Sequence, residues 1–258
     1  MLKVLVACEE SQRVCTAFRE LGHEAYSCDI LEPSGGHEEW HIQGDVLEIL
    51  NPKDHLGDFE APDRFISFRT MDGKYHEVQQ WDIIIAHPPC TYLTVTGNRW
   101  FNVERYGDKA IERHKLRAEA AEFFMKFANA ECKHICIENP VGYMSTHYRP
   151  ADQCIQPYMF GDPFEKKTCL WLKNLPKLQP TNIVKPPPRM KFESGRSMPA
   201  WYAEAWHLPE KERAKLRSQT FKGIAQAIAK QFSSYVICEV QHESIGVIRR
   251  DTINRQSI

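Results

Sequence analysis

Two segments of the chain carry residues that could do chemistry. The first is Pro88-Pro89-Cys90, which follows the apolar run Trp81-Asp82-Ile83-Ile84-Ile85-Ala86. A branched aliphatic run that stops at two prolines reads as a buried parallel strand ending in a rigid loop. Open α/β sheets bind ligands just beyond the carboxyl ends of their strands, where this thiol would sit. A thiol there is either a nucleophile or a buried structural cysteine. The second segment is His134-Ile135-Cys136-Ile137, which runs into Glu138-Asn139-Pro140. It places a carboxylate at a strand end, before a proline expected to stop the strand. If the two strands lie side by side, Cys90 and Glu138 meet.

The elements that must position these groups can be read from the periodicity. Lys3–Ala7 reads as a strand, Gln12–Leu21 as a helix stopped by Gly22, and Glu24–Cys28 as a strand ending at Asp29. A β-α-β start with an acid at the second strand end suits a nucleotide or adenosyl ligand, because the carboxylate can accept hydrogen bonds from ribose hydroxyls. The first turn, Ala7-Cys8-Glu9-Glu10-Ser11-Gln12, has no glycine and two glutamates. Such a loop disfavours phosphates, which argues against NAD or ATP. It is compatible with a positively charged ligand, and Glu9 or Ser11 is expected to contact it.

Arg64–Arg69 and Lys74–Val78 flank an Asp72-Gly73 turn and read as a β-hairpin. Residues 108–130 read as an amphipathic helix crossing over to the Glu138 strand. Phe160–Leu172 reads as a turn into another strand. A proline-rich basic stretch, residues 176–205, follows as either a reduced DNA-contacting element, with Lys185, Arg189, Lys191 and Arg196 on phosphates, or a mobile linker. Helices are expected over 208–216 and 220–232, and residues 239–258 read as an extended or frayed tail. Neither the His37/His41 pair nor Cys132-Lys133-His134-Ile135-Cys136 has a metal-site pattern, so no metal is expected.

The composition is that of one sizeable core with a small appendage: 258 residues, 42% hydrophobic. The 33 basic and 34 acidic residues nearly cancel, so nucleic-acid contact would need a local patch. Nine cysteines, an odd number scattered through apolar segments, read as reduced thiols. Without a signal peptide or a spanning run, a cytoplasmic location is expected.

Taken together, these segments resemble the DNA cytosine-5 methyltransferase family, most closely its short phage and prophage members. Pro89-Cys90-Thr91-Tyr92-Leu93-Thr94-Val95-Thr96-Gly97 is similar to the family's Pro-Cys-x-x-Phe-Ser-x-x-Gly stretch, and Glu138-Asn139-Pro140-Val141 to its Glu-Asn-Val motif. Gly44-Asp45-Val46 resembles its Gly-Asp-Ile, and Cys28-Asp29-Ile30 falls where its ribose-binding acid lies. The chain departs from the family at the first turn, where Phe-x-Gly-x-Gly-Gly is usual, and lacks the Gly-Asn-Ser of the last motif. Lys166, Lys167 and Thr168 stand nearest the position of the family's Gln-x-Arg-x-Arg.

The resemblance implies a Rossmann-like class I S-adenosylmethionine-dependent methyltransferase fold, with helices on both sheet faces. The catalytic domain would span residues 1–175 and 206–238, and 176–205 would be a reduced recognition element. It implies Cys90 as the nucleophile that adds to cytosine C6, Glu138 as the acid at N3, and Asn139 as the residue holding the loop or bonding near the base. Such an acid must be neutral near pH 7, which burial in an apolar neighbourhood would achieve. Ala7, Cys8, Glu9, Ser11, Asp29, Ile30, Asp45, Val46 and Pro88 would face S-adenosyl-L-methionine. Pro89, Thr94, Gly97, Lys167 and Thr168 would face the substrate. The target base in DNA would be flipped or single-stranded. The same chemistry on a free pyrimidine nucleotide such as dCMP, a non-catalytic DNA-binding relic, and a derivative of the methyl donor stay open as alternatives.

Overall fold

A computed structural model describes residues 1–55, 63–218 and 220–255. In chain order its strands are β1 (Lys3–Ala7), β2 (Glu24–Asp29), β3 (His41–Gln43), β4 (Lys53–His55), β5 (Asp63–Arg69), β6 (Tyr75–Val78), β7 (Ile83–Ala86), β8 (His134–Pro140), β9 (Gln153–Ile155), β10 (Thr168–Lys173), β11 (Arg189–Lys191) and β12 (Ser197–Pro199). The helices are α1 (Arg13–Glu20), α2 (Val103–Tyr106), α3 (Asp108–Ala128), α4 (Met144–His147), α5 (Ala200–Glu204), α6 (Glu210–Ser218) and α7 (Lys222–Arg255).

Seven strands form one mixed sheet in the order β3-β2-β1-β7-β8-β10-β9. Strands β3, β2, β1, β7 and β8 run parallel, and β10 is antiparallel to both β8 and β9. The chain winds outward from β1 to β3, then restarts on the other side of β1 with β7. Strand order therefore reverses between β1 and β7, which is where open α/β sheets form their ligand crevice.

Alternation along β1 explains the two layers, because successive side chains leave opposite faces. Val4 and Val6 pack with Ile83, Ile85, Val14 and Phe18 of α1, and Ile224, Ile228 and Phe232 of α7. Leu5 and Ala7 pack with Ile84, with Phe124 and Phe127 of α3, and with Trp171. Ile83, Ile84 and Ile85 are all fully buried, the pattern of a strand covered on both faces. Each contributes about 1.5–3 kcal/mol by leaving water.

Strands β4, β5 and β6 form a small separate sheet on the α3 side. Its β5–β6 hairpin turns at Gly73, whose φ of +84° suits glycine, in line with the sequence reading. Tyr26 and Phe68 meet edge-to-face at 4.8 Å, and Trp81 Nε1 donates to Ile49 O at 2.8 Å, which fixes this sheet to the core.

Three expectations change. Strand β8 does not stop at Glu138 but runs to Pro140, because β10 pairs with it, Leu170 opposite Glu138 and Thr168 opposite Pro140. Proline is tolerated there because it is the last strand residue. The 176–205 stretch contains the β11–β12 hairpin and α5, in place of an irregular loop. Residues 239–255 are helical, not an extended tail; Glu239 in α7 pairs with His134 at 2.7 Å and Lys133 at 3.3 Å, which ties this part of the helix to β8. No helix among the described residues is long and apolar enough to cross a membrane.

Candidate active site

Strands β7 and β8 pair in parallel, with Ala86 opposite Ile137, so the next residues, His87 and Glu138, fall side by side. The His87 imidazole Nδ1 lies 3.0 Å from Glu138 Oε2, and both side chains are largely buried, at 14% and 10% exposure. Thr220 donates its hydroxyl to the same carboxylate oxygen at 3.4 Å. Asn139 donates from Nδ2 to the carbonyl of Pro88 at 2.8 Å, so it holds the Pro88-Pro89-Cys90 turn from the neighbouring strand.

The two loops are interlocked further along. Tyr143 N donates to Leu93 O at 2.7 Å, and Val95 N to Val141 O at 3.2 Å. Gly142 lies so close to the Cys90 loop that a Cβ there would stand 1.9 Å from Leu93 O. Leu93 and Thr94 both donate their amides to Cys90 O at 3.0 Å, a tight turn that leaves Cys90 half-exposed.

Electrostatics divide the proton between the strand ends. Burial opposes ionisation of Glu138, but the His87 hydrogen bond and charge, Lys166 and Thr220 outweigh it and hold the carboxyl down at about 2. Burial likewise opposes the imidazolium of His87, yet Glu138 and Glu9 overcome it and raise its pKa above the ordinary value, with Lys166 working the other way. This runs against the expectation of a neutral Glu138: the imidazole favours the ionised carboxylate, and the carboxylate favours the imidazolium. The apolar neighbourhood alone would have favoured the neutral acid; the neighbouring imidazole reverses it.

Glu9 is 4% exposed. Its carboxylate accepts from Val14 N at 2.7 Å and Cys15 N at 3.1 Å, at the start of α1. Burial pushes its pKa up to about 6 despite His87 and those two amides. It is thus engaged by the helix N-terminus, where an anion is favoured. The Cys90 thiol is raised by burial and by Glu138, while the charges of Lys166 and Arg217 pull it down.

At the β1 end, Ala7 is buried in the strand, and Cys8 and Gln12 adopt φ of +59° and +57° without being glycine. Each such residue costs about 1–2 kcal/mol. Hydrogen bonds offset the cost. Cys8 N donates to Cys28 O at 2.7 Å, and the buried Gln12 side chain donates to Ser27 Oγ at 3.2 Å and His37 O at 2.8 Å. The loop therefore keeps left-handed backbone turns where the resemblance would place glycines. Ser11 lies half-buried beside it.

Asp29 ends β2 half-buried, accepts from Leu31 N at 3.0 Å, and is raised by burial. Ile30 is 75% exposed beyond it. Asp45 is exposed and accepts from Leu47 N at 2.9 Å, whereas Val46 is in the core and only its backbone can meet a ligand. These residues fit an adenosyl group. Asp29 has a second oxygen for ribose hydroxyls, and Ile30 offers an exposed apolar surface for a base.

On the substrate side, Pro89 is exposed, Thr94 caps the 3-10 turn Val95–Phe101, and Gly97 is buried within that turn. Thr168 is buried and its hydroxyl donates to Lys166 O at 3.2 Å, and Lys167 is exposed. Of these three, Lys166 acts on both Cys90 and Glu138. Arg189 is paired with Glu165 and donates to Ser197 O at 3.0 Å, so it closes the hairpin; Lys185, Lys191 and Arg196 are exposed. His37 stacks on Trp40 at 3.8 Å, and His41 bonds Ser27 and Leu31 O.

Sequence reasoning missed His87, Arg217 and Thr220. His87 carried a signal: one residue before Pro88, it must oppose Glu138 if the strands are parallel neighbours. Arg217 and Thr220 carried none, because α6 and the start of α7 reach the site only through the tertiary fold. No protein-family model matches the chain, and no curated protein matches it.

Proposed function

We propose that this protein transfers a methyl group from S-adenosylmethionine to C5 of cytosine in DNA, through covalent addition of Cys90 to C6. The observation that carries this reading is the interlock of the two strand ends, which puts a half-exposed thiol beside a buried, proton-loaded carboxylate–imidazole pair. The mixed seven-stranded sheet and its β1/β7 switch point are compatible with the methyltransferase fold that the resemblance implies.

Cytosine C5 becomes nucleophilic only when a group adds at C6. A thiolate suits this step because it attacks well and can leave afterwards. Lys166 and Arg217 favour the thiolate of Cys90. Glu138 would serve N3, where addition at C6 builds negative charge. Asn139 fixes the Pro88 carbonyl and so the approach of the thiol. Asp29 and Ile30 would hold the adenosyl end of S-adenosylmethionine, which supplies an electrophilic methyl group. Close beyond Cys90, Trp100 is 41% exposed with the Arg99 guanidinium over its ring at 4.5 Å. An aromatic face with a cation suits a stacked base and its phosphate, and supports DNA over a mononucleotide.

The test is transfer of a labelled methyl group to duplex and single-stranded oligonucleotides, beside dCMP. Label in DNA at C5 of cytosine supports the reading; label in dCMP alone overturns the DNA substrate. No transfer to either substrate, with no calorimetric binding of S-adenosylhomocysteine, overturns methyl transfer.

A further inference from the structure

We infer that His87 stores the proton that Glu138 delivers to N3 of the ring, and so sets the upper pH limit of the reaction. This rests on the methyl-transfer reading above and adds a residue to it. The geometry carries the inference. The two strands' register makes His87 and Glu138 neighbours, and Nδ1 lies 3.0 Å from Oε2 with little water access. Among the described residues the other ring nitrogen, Nε2, is buried with no hydrogen-bond partner. Among the described residues only the Nδ1 side of the ring has a proton acceptor, so exchange from this imidazole is directed to Glu138.

The charged groups acting on His87 come from three elements: Glu138 from β8, Glu9 from the turn after β1, and Lys166 from the loop before β10. The two carboxylates favour the imidazolium and Lys166 opposes it. Lys166 also makes a hydrogen bond to Ser218 O at 3.2 Å, which tethers it to the end of α6.

The transfer to N3 balances without an outside reagent. As the Cys90 sulfur bonds to C6, the electron pair of the C5–C6 double bond moves into the ring toward N3. The N3–H bond forms as the Glu138 O–H bond breaks, and that O–H bond is made from the His87 Nδ1–H bond. His87 is left neutral, carrying its Nε2 proton. Elimination then breaks the C5–H bond, with water taking the proton; that electron pair re-forms the C5–C6 double bond as the C6–S bond breaks and Cys90 leaves as its thiolate, and the N3 proton returns to His87 through Glu138. His87 acts through Glu138 and is a positioning residue for its proton, not a catalytic residue that touches the base.

The experiment is the pH–rate profile of methyl transfer for wild type, His87→Gln and Glu138→Gln, paired with a ¹⁵N-histidine NMR titration of wild type and Glu138→Gln. Gln at position 87 keeps a donor toward Glu138 but stores no proton. The expected result for His87→Gln is a kcat lower by about tenfold or more at pH 8, recovering toward wild type near pH 6, with KM for DNA unchanged. In the wild type, His87 is expected to remain an imidazolium above its ordinary titration range, and to lose that proton at lower pH in Glu138→Gln. A loss equal at every pH, an unchanged profile, or a His87 that is neutral at pH 7 overturns the inference. A wild type inactive on both substrates overturns the methyl-transfer reading and the role with it, whereas the NMR titration reports on the ion pair alone.

Discussion

Cys8 and Cys90 lie beyond the carboxyl ends of adjacent parallel strands, β1 and β7, and their surroundings have opposite sign. Cys8 faces Asp29, Asp45 and Cys28, so burial and negative charge together push its thiol far above the ordinary range. Cys90 is also raised by burial and by Glu138, but Lys166 and Arg217 work against that rise. The same end of the sheet thus hosts an inert thiol and a candidate nucleophile. Which of the two is which depends on the charges that loops from the far end of the chain bring in. The negative end suits a cationic sulfonium, and the end with two cations suits a thiolate and a nucleic-acid backbone.

The largest effect should come from exchanging the roles. Cys90→Ser is expected to abolish methyl transfer, a loss on the order of 10³-fold or more, while Cys8→Ser keeps most of it. Equal losses in a labelled-methyl assay would break the comparison. Next in size, Glu138→Gln should lower kcat by about 10²–10⁴-fold with calorimetric binding of S-adenosylhomocysteine unchanged. Removing a cation should narrow the contrast: Lys166→Ala is expected to slow alkylation of Cys90 by iodoacetamide about tenfold at pH 8, because less of it is thiolate, and to leave Cys8 as unreactive as before.

Much of this site was legible from local pattern. The Ile83–Ala86 run, the prolines after it and the second apolar run before Glu138 each point to a strand end, because branched residues and prolines act locally. The hairpin over 64–78 was readable from Asp72-Gly73 for the same reason. What was not legible depends on partners distant in sequence. Glu138 reads as a terminal residue because nothing local shows that β10 will pair beyond it. Its ionised state depends on His87 across a strand pair, a neighbour that shows only once β7 and β8 are taken as parallel partners. The last stretch of α7 reads as an extended or frayed tail, yet Glu239 reaches His134 and Lys133 on the β8 side. The β11–β12 hairpin had a cue in Ser194-Gly195, since Gly195 takes φ +76°, but the surrounding prolines mask it.

Two smaller predictions concern stability. Gly142→Ala would drive a Cβ into the Leu93 carbonyl, and the interlocked loops leave little room to yield. A loss of about 1–3 kcal/mol is expected, read as a drop in denaturant midpoint. The Glu138 carboxyl, held at about 2 in the fold against an ordinary 4.5, contributes stability that is present above pH 4.5 and lost as pH falls toward 2. Wild type and Glu138→Gln should therefore differ less in Tm at pH 3 than at pH 5. A constant difference would mean that the pair does not hold its charge in the folded state.

The central claim is that Cys90, and not Cys8, attacks a cytosine ring. A duplex bearing 5-fluorodeoxycytidine tests it directly, because fluorine cannot leave C5 as the proton does and the adduct should persist. Incubation with this duplex and S-adenosylmethionine, followed by peptide mass mapping, should place the base on the peptide containing Cys90. An adduct on the Cys8 peptide, or none on either, would contradict the account.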